Sequence, residues 1–360
     1  MPFLGILKRK SSQSEMTDAM IHTPSLEAEF FFHQGMRLNE AKKYEEAISN
    51  FDAALKFKVD HYNALCQRGL ALGNLARHED ALISFDKALA IRQDACWVWH
   101  NRGIALGKLG RYQDAINSFD RALEFNPDAA NTWHNRGITY SDLGNYEKAI
   151  ASFDRTLQLQ PHAYWAWYNR GIALGKLNRY EEALNSFDRS LEFKPDAFNA
   201  WYNRGITLRD WGNYEKAVAS FNKVLEIKPD YNQAWYNRGV SLWKLGRHDE
   251  AIASFDKTFE FQPNDFWAWY NRGIALRQVG RLEEAIASYD KALEFKPQEH
   301  RAWYNKACCY SQQGNIQLAI ESLETAIKLH PEEYRDLAQK DADFEHIRAD
   351  ERFQALIDSW

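Results

Sequence analysis

Ala166-Trp167-Tyr168-Asn169-Arg170-Gly171-Ile172 recurs in close copies along most of this chain. Its glycine returns at Gly35, Gly69, Gly103, Gly137, Gly171, Gly205, Gly239 and Gly273, always after 34 residues, and Ala307 stands in its place in a ninth copy. Periodicity kept without one insertion predicts repeated supersecondary units that bury their apolar faces on their neighbours, because one such unit cannot bury its own. Counted from Ala28, the copies occupy 28–61, 62–95, 96–129, 130–163, 164–197, 198–231, 232–265, 266–299 and 300–333, between a head at 1–27 and a tail at 334–360. Seven of the nine prolines, Pro127 to Pro331, fall at the thirty-second place of a repeat.

In the third copy, Trp99, Gly103 and Leu106 share one face at helical spacing, Gly110 follows, and Ala115, Phe119 and Ala122 share a second face before Pro127. The pattern predicts two helices and two turns. Gly110 supplies a left-handed turn residue, and Pro127 closes the second helix because it cannot extend the hydrogen-bond ladder. Small Gly103 and Ala115 let the helix backbones approach while Trp99 and Phe119 fill the space beside them. The recurring tryptophans Trp99 to Trp303 are expected to be core residues, each burying roughly 150–250 Å².

These residues resemble the tetratricopeptide repeat, whose Trp, Gly, Ala, Phe and Pro positions match Trp99, Gly103, Ala115, Phe119 and Pro127. The resemblance covers residues 28–333 and implies an all-α chain, a right-handed superhelical α-solenoid of nine helix-turn-helix repeats. Two departures recur: Arg102 stands where the family usually has leucine, and Leu106 where it has tyrosine, although Tyr140 and Tyr310 keep the aromatic. Asn-Arg-Gly in most copies is similar to tandem arrays of bacteria, especially cyanobacteria.

An unbroken array overrides the usual expectation that 360 residues form two or three globular domains. Lys+Arg 45 against Asp+Glu 50, a net charge of -5, leaves no electrostatic footprint for nucleic acid. Cys66, Cys96, Cys308 and Cys309 lie in helical stretches at no metal-ligand spacing, which argues against a disulfide framework and fits a reducing cytoplasm. The head begins with a short apolar run ahead of Lys8-Arg9-Lys10, too short for a membrane span, and reads as a disordered leader; a weak contact with a membrane surface is its sharper reading.

The first copy is degenerate, with Phe31 for the tryptophan, Val59 for the proline and Lys42 for the turn glycine; the second has Leu65 and Ala76. Lys108, Asp142, Lys176, Asp210 and Lys244 alternate at the thirteenth place, so a period of 68 residues shows through. In the tail, Tyr334, Leu337, Ala338, Phe344, Ile347, Phe353, Leu356 and Ile357 read as one or two amphipathic capping helices.

No catalytic constellation emerges. The glycine-rich Gly103–Gly110 run lies inside a predicted helix and lacks the Gly-Lys-Ser/Thr ending of a phosphate loop. His100 and His134 share one repeat place but stand a full repeat apart, which suits stacking imidazoles better than a metal site. The chain is therefore expected to be no enzyme and to use no cofactor.

The family resemblance implies a concave groove lined by the first helix of each repeat, at places two, five, six, nine, twelve and thirteen. Place five carries His100, His134, Tyr168, Tyr202, Tyr236, Tyr270 and Tyr304, and place nine is mostly isoleucine or valine. Trp97, Trp165 and Trp267 stand at place two, and Lys108, Lys176 and Lys244 at place thirteen. Place six gives one carboxamide per copy: Asn101, Asn135, Asn169, Asn203, Asn237, Asn271 and Asn305. Each amide can meet a peptide backbone, or it can bond the adjacent helix and fix the repeat-to-repeat geometry; the sequence leaves both open. Arg68 to Arg272 at place seven, with Asp86, Asp120, Asp154, Asp188, Asp256 and Asp290 on second helices, suggest recurring ion pairs. The inner wall lacks the lysine and asparagine of the dicarboxylate clamp found in chaperone-binding members, which disfavours capture of an acidic chaperone tail.

The expected function is a non-catalytic scaffold that holds an extended, partly apolar polypeptide in the groove. The alternative is a regulatory or targeting module for an enzyme or membrane complex, acting through self-association or its head.

Overall fold

The computed structural model describes residues 24–358, and among them the chain is all-α apart from one short 3-10 turn. It divides at Leu177 and Asn178 into two compact halves. Four helical hairpins and the first helix of the fifth repeat, Tyr164–Lys176, make up the N-terminal half. The second helix of that repeat, Tyr180–Phe193, four further hairpins and a cap make up the C-terminal half.

The third repeat shows why the sequence folds this way. Its first helix, Cys96–Lys108, buries Val98, Gly103, Ala105 and Leu106, and its second, Tyr112–Phe125, buries Ala115, Ile116, Phe119, Ala122 and Leu123. The three- and four-residue spacing puts each set on one face. The helices meet at the glycine. A Cβ built on Gly103 would lie 2.6 Å from Cε1 of Phe119, and the same close approach recurs between Gly69 and Phe85, Gly137 and Phe153, and Gly205 and Phe221. In the ninth repeat Ala307 takes the glycine's place, and the residue opposite shrinks to Leu323.

The tryptophans are half-buried rather than core, which corrects the expectation from sequence. Their indole N–H groups reach back across the inter-repeat turn: Trp133 donates to the Pro127 carbonyl at 2.8 Å, and Trp201 to that of Pro195 at 2.9 Å. The second helix already stops at Phe125, two residues before Pro127, so the proline shapes the turn and leaves its carbonyl to the indole.

The place-seven arginine completes the joint between repeats. Arg102 Nε donates at 2.7 Å to Asp86 of the preceding second helix, Nη1 donates at 2.7 Å to Ser118 of its own repeat, and the guanidinium lies 5.6 Å from the Trp99 ring centre. Arg136, Arg204 and Arg272 repeat the pattern on Asp120, Asp188 and Asp256. The recurring ion pairs expected from sequence are therefore present, and the indole face adds a cation–π contact of about 0.5–1 kcal/mol. In the seventh repeat the acceptor is the neutral Asn222, and burial lowers the Arg238 pKa.

The turn between the helices of a hairpin needs one left-handed residue. Gly110 supplies it at φ +73°, and in the second repeat Ala76 is held at φ 59°. Because a Cβ in that region costs about 1–2 kcal/mol, Ala76→Gly is expected to stabilise the chain by about 1 kcal/mol after the flexibility of glycine is counted. A urea titration reads this directly; an unchanged or lowered midpoint would show that the turn carries no strain.

Two boundaries differ from the sequence reading. The first helix runs Pro24–Glu40, so residues 24–27 belong to it and not to the head; proline is suited to the first helical turn, where its missing N–H is not needed. The rest of the head, with its basic run, lies outside the described residues. At the other end the cap starts at Pro331, which opens helix Pro331–Lys340 and is followed by the 3-10 turn Ala342–Phe344 and helix Glu351–Asp358. Tyr334, Phe344, Ile347, Phe353 and Ile357 close over Leu323 and Ile327 of the last repeat.

Candidate functional site

The first helices of successive repeats stand side by side in each half and form a wall on which places two and thirteen are mostly exposed and places five, six, nine and twelve are half-buried or buried. In the N-terminal half an open cleft of about 210 Å³ lies between the second and third repeats, with Asn101, Ile104 and Lys108 in its lining. A similar cleft of about 180 Å³, lined in part by Asn135, Ile138 and Asp142, follows one repeat later.

Asn135, Asn169, Asn237, Asn271 and Asn305 serve the joint between repeats. Asn169 Nδ2 donates to His134 Nε2 at 2.9 Å, Asn271 to the Tyr236 hydroxyl at 3.1 Å and Asn305 to that of Tyr270 at 3.0 Å, each a contact with the ring one repeat earlier. Asn237 bonds Tyr202 in the same way, also accepts from Arg209, and is only 5 % exposed. Asn135 reaches His100 Nε2 at 3.5 Å, whereas Asn101 and Asn203 donate to the carbonyls of Trp97 and Asn199 one turn back. For Asn135, Asn169, Asn237, Asn271 and Asn305 these distances describe a repeat-to-repeat bond.

The rings at place five gain a definite chemistry from that bond. Tyr202, Tyr236 and Tyr270 accept the carboxamide N–H through their hydroxyl oxygen and keep their own O–H to donate. Burial pushes all three phenols above their ordinary pKa, so they stay protonated. Tyr168 is half-buried on helix Tyr164–Lys176. His134 is boxed in by Asn169 and by the Trp165 ring, edge to face at 4.2 Å between centres, and burial holds its pKa down to about 4. His100 bonds Thr132 Oγ1 at 2.8 Å and is shifted the same way by burial.

Trp97 and Trp267 are 38 % and 39 % exposed. Trp267 is covered in part by Lys296 and Arg301, 5.1 and 5.9 Å from its ring centre. Lys108, Lys176 and Lys244 close their helices as exposed charges. Tyr304 departs from expectation: it is 7 % exposed, stacked on Tyr334, with its hydroxyl donating at 2.7 Å to Asp341 Oδ2. The tail covers it, and Asp341 meets its hydroxyl where Asn305 meets that of Tyr270 one repeat earlier.

Two groups bring three potential metal ligands within 4.8 Å, His300–His330–Glu333 and Cys308–Asp341–Asp343. The two imidazoles of the first stack at 4.6 Å, and His300 Nδ1 is engaged by the Tyr334 hydroxyl at 2.6 Å. In the second, the carboxylates already accept from Tyr304, Arg277 and Gln312, and burial pushes the Cys308 thiol well up.

Models of the tetratricopeptide repeat match residues 62–94, 94–161, 128–196, 198–231, 236–300 and 300–333. The chain belongs to the tetratricopeptide repeat family. The repeats also match solved structures. The C-terminal part of a TPR repeat-containing protein from Cytophaga hutchinsonii is 18 % identical, with a TM-score of 0.59 over 67 % of this chain and 98 % of that one. A tetratricopeptide repeat protein from Parabacteroides merdae is 22 % identical, with a TM-score of 0.51 over 68 % and 97 %. Both share the helical-repeat fold. YrrB, described as a TPR protein with an unusual peptide-binding site, is 26 % identical over 51 % of this chain and 95 % of its own, with a TM-score of 0.47. No curated protein matches this chain. The tetratricopeptide repeat is a module of protein–protein interaction, and none of the family models matched is catalytic. No helix among the described residues is long and apolar enough to cross a membrane.

Sequence reasoning missed Arg209 and Arg277 at place twelve. Arg209 reaches Asn237 on the next first helix, and Arg277 reaches Asp343 of the tail at 2.7 Å. Their signal was present in the 68-residue period, which places an arginine at the same point in the sixth and eighth repeats.

Proposed function

We propose that the chain is a non-catalytic scaffold that binds an extended, partly apolar peptide segment along the first-helix wall. One observation carries this reading: Tyr202, Tyr236 and Tyr270 stand one per repeat, each with its hydroxyl oxygen held by an asparagine and its O–H left to donate. Phenol O–H groups at repeat spacing suit the carbonyls of an extended chain, while the ring edges and the place-nine aliphatics offer apolar contact. The asparagines act as positioning residues by orienting the rings.

Selection of displayed random 12-residue peptides on the full chain tests this. Enriched peptides are expected to lose about tenfold or more in affinity when Tyr202, Tyr236 and Tyr270 are together changed to phenylalanine, since three hydrogen bonds of about 0.5–1.5 kcal/mol each are removed while the packing stays. Affinity unchanged by the triple substitution, with helix content intact, would reject the wall.

A further inference from the structure

The last first-helix positions of the wall hold a piece of the chain itself. Asp341-Ala342-Asp343-Phe344 lies against helix His300–Gln312. There Asp341 Oδ2 accepts from the Tyr304 hydroxyl at 2.7 Å, Asp343 Oδ2 from Arg277 Nη1 at 2.7 Å, and Asp343 Oδ1 from Gln312 Nε2 at 2.6 Å. The three receiving side chains stand at places five, twelve and thirteen, which are wall positions. The tail thus displays how this wall takes two carboxylates two residues apart.

The same three places carry hydrogen-bonding side chains 68 residues upstream. Arg209, Tyr236 and Lys244 occupy the places of Arg277, Tyr304 and Gln312, and Val240 replaces Cys308 on the floor between them. Arg209 already extends across to the seventh repeat, where it meets Asn237, and Tyr236 keeps an O–H to donate. Lys244 is an exposed cation where the occupied site has a neutral amide, so the upstream site is the more basic at that point. Two carboxylates oppose this: Asp210 holds Arg209 Nη2 at 2.7 Å, where the equivalent residue beside Arg277 is the neutral Gln278, and Asp265 adds negative charge near the Tyr236 phenol.

We propose that Arg209, Tyr236 and Lys244 form a binding site for an acidic peptide segment of the Asp-x-Asp type presented by a partner protein, with Asp210 as its internal competitor. The first carboxylate accepts from the Tyr236 hydroxyl and the second from Arg209 and Lys244, as Asp341 and Asp343 do on their own partners. Arg209 exchanges its bonds to Asp210 and Asn237 for the incoming carboxylate, so the site's affinity is set by how firmly Asp210 holds it. This proposal rests on the wall being the binding surface and adds the chemistry of one ligand segment.

The probe is a fluorescein-labelled peptide of residues 338–348, titrated by anisotropy into the full chain, whose downstream site is filled by its own tail. Arg209→Gln is expected to weaken binding by about tenfold, and so is a peptide with asparagine for both aspartates, because each removes charge-assisted bonds. Asp210→Gln, which gives the site the neutral neighbour of the occupied one, is expected to tighten binding by about threefold or more. A gain of affinity cannot come from a misfolded variant. Equal affinity for the charged and neutral peptides, an unchanged affinity for Arg209→Gln, or no gain with Asp210→Gln overturns the acidic site. Peptide capture by the wall is judged separately: it falls when the peptides selected above stay bound to the triple tyrosine variant, whatever this probe does.

Discussion

Gly137→Ala is expected to destabilise the chain by about 1–3 kcal/mol, and Phe153→Leu in the same molecule to recover most of that loss. The Cβ of an alanine at 137 would lie 2.6 Å from Cε1 of Phe153, 2.8 Å from Cδ1 and 3.0 Å from Cζ. Phe153 has no exposed surface, so its ring has nowhere to retreat. The better helix propensity of alanine returns about 1 kcal/mol, less than overpacking a rigid ring takes away. The ninth repeat carries the compensated pair naturally, Ala307 over Leu323, with both residues fully buried. Urea titrations of the two single variants and the double variant check this. A double variant no more stable than the sum of its parts would mean that the two sites are not in contact in the way the structure shows.

The second large effect is on acid stability. Asn169 donates to His134 Nε2, so that nitrogen holds a lone pair and the ring is neutral; burial holds its pKa down to about 4, from 6.5 when unfolded. A depressed folded-state value means that the unfolded chain binds the proton first. The contribution of His134 is therefore complete above pH 6.5, declines as the pH falls toward 4, and changes no further below it. By pH 5 the loss is about 1–2 kcal/mol, at about 1.4 kcal/mol per unit and reduced for the part of the ring still hydrated. His134→Tyr installs the residue that later repeats carry at this place, with a hydroxyl to accept from Asn169 and no proton to take up in this range. Between pH 7.5 and 5.0 the natural chain should lose more stability than this variant by that amount; equal losses would place the acid sensitivity elsewhere.

The period, the paired helices and the Gly–Phe contact were legible because each lies inside one 34-residue copy, where side-chain size and spacing are enough to read it. The arginine–aspartate pairs were legible too, since charge complementarity survives translation along the array. What escaped crosses from one copy to the next. An asparagine at place six leaves two readings open in sequence, a peptide contact or a bond to the adjacent helix, and its partner is the ring 35 residues earlier, as Asn271 meets Tyr236. Trp133 reads as core until the Pro127 carbonyl draws its indole to the edge of the hairpin. Tyr304 reads as one more wall residue until a tail with no repeat period folds over it.

Peptides held by the first-helix wall through the phenols of place five would be visible in a crystal structure of the chain with a selected peptide. The expected result is an extended segment along the first helices, with its carbonyl or carboxylate oxygens within hydrogen-bond distance of the Tyr202, Tyr236 and Tyr270 hydroxyls. A peptide seated on the second helices, or on the wall without touching those hydroxyls, would contradict it.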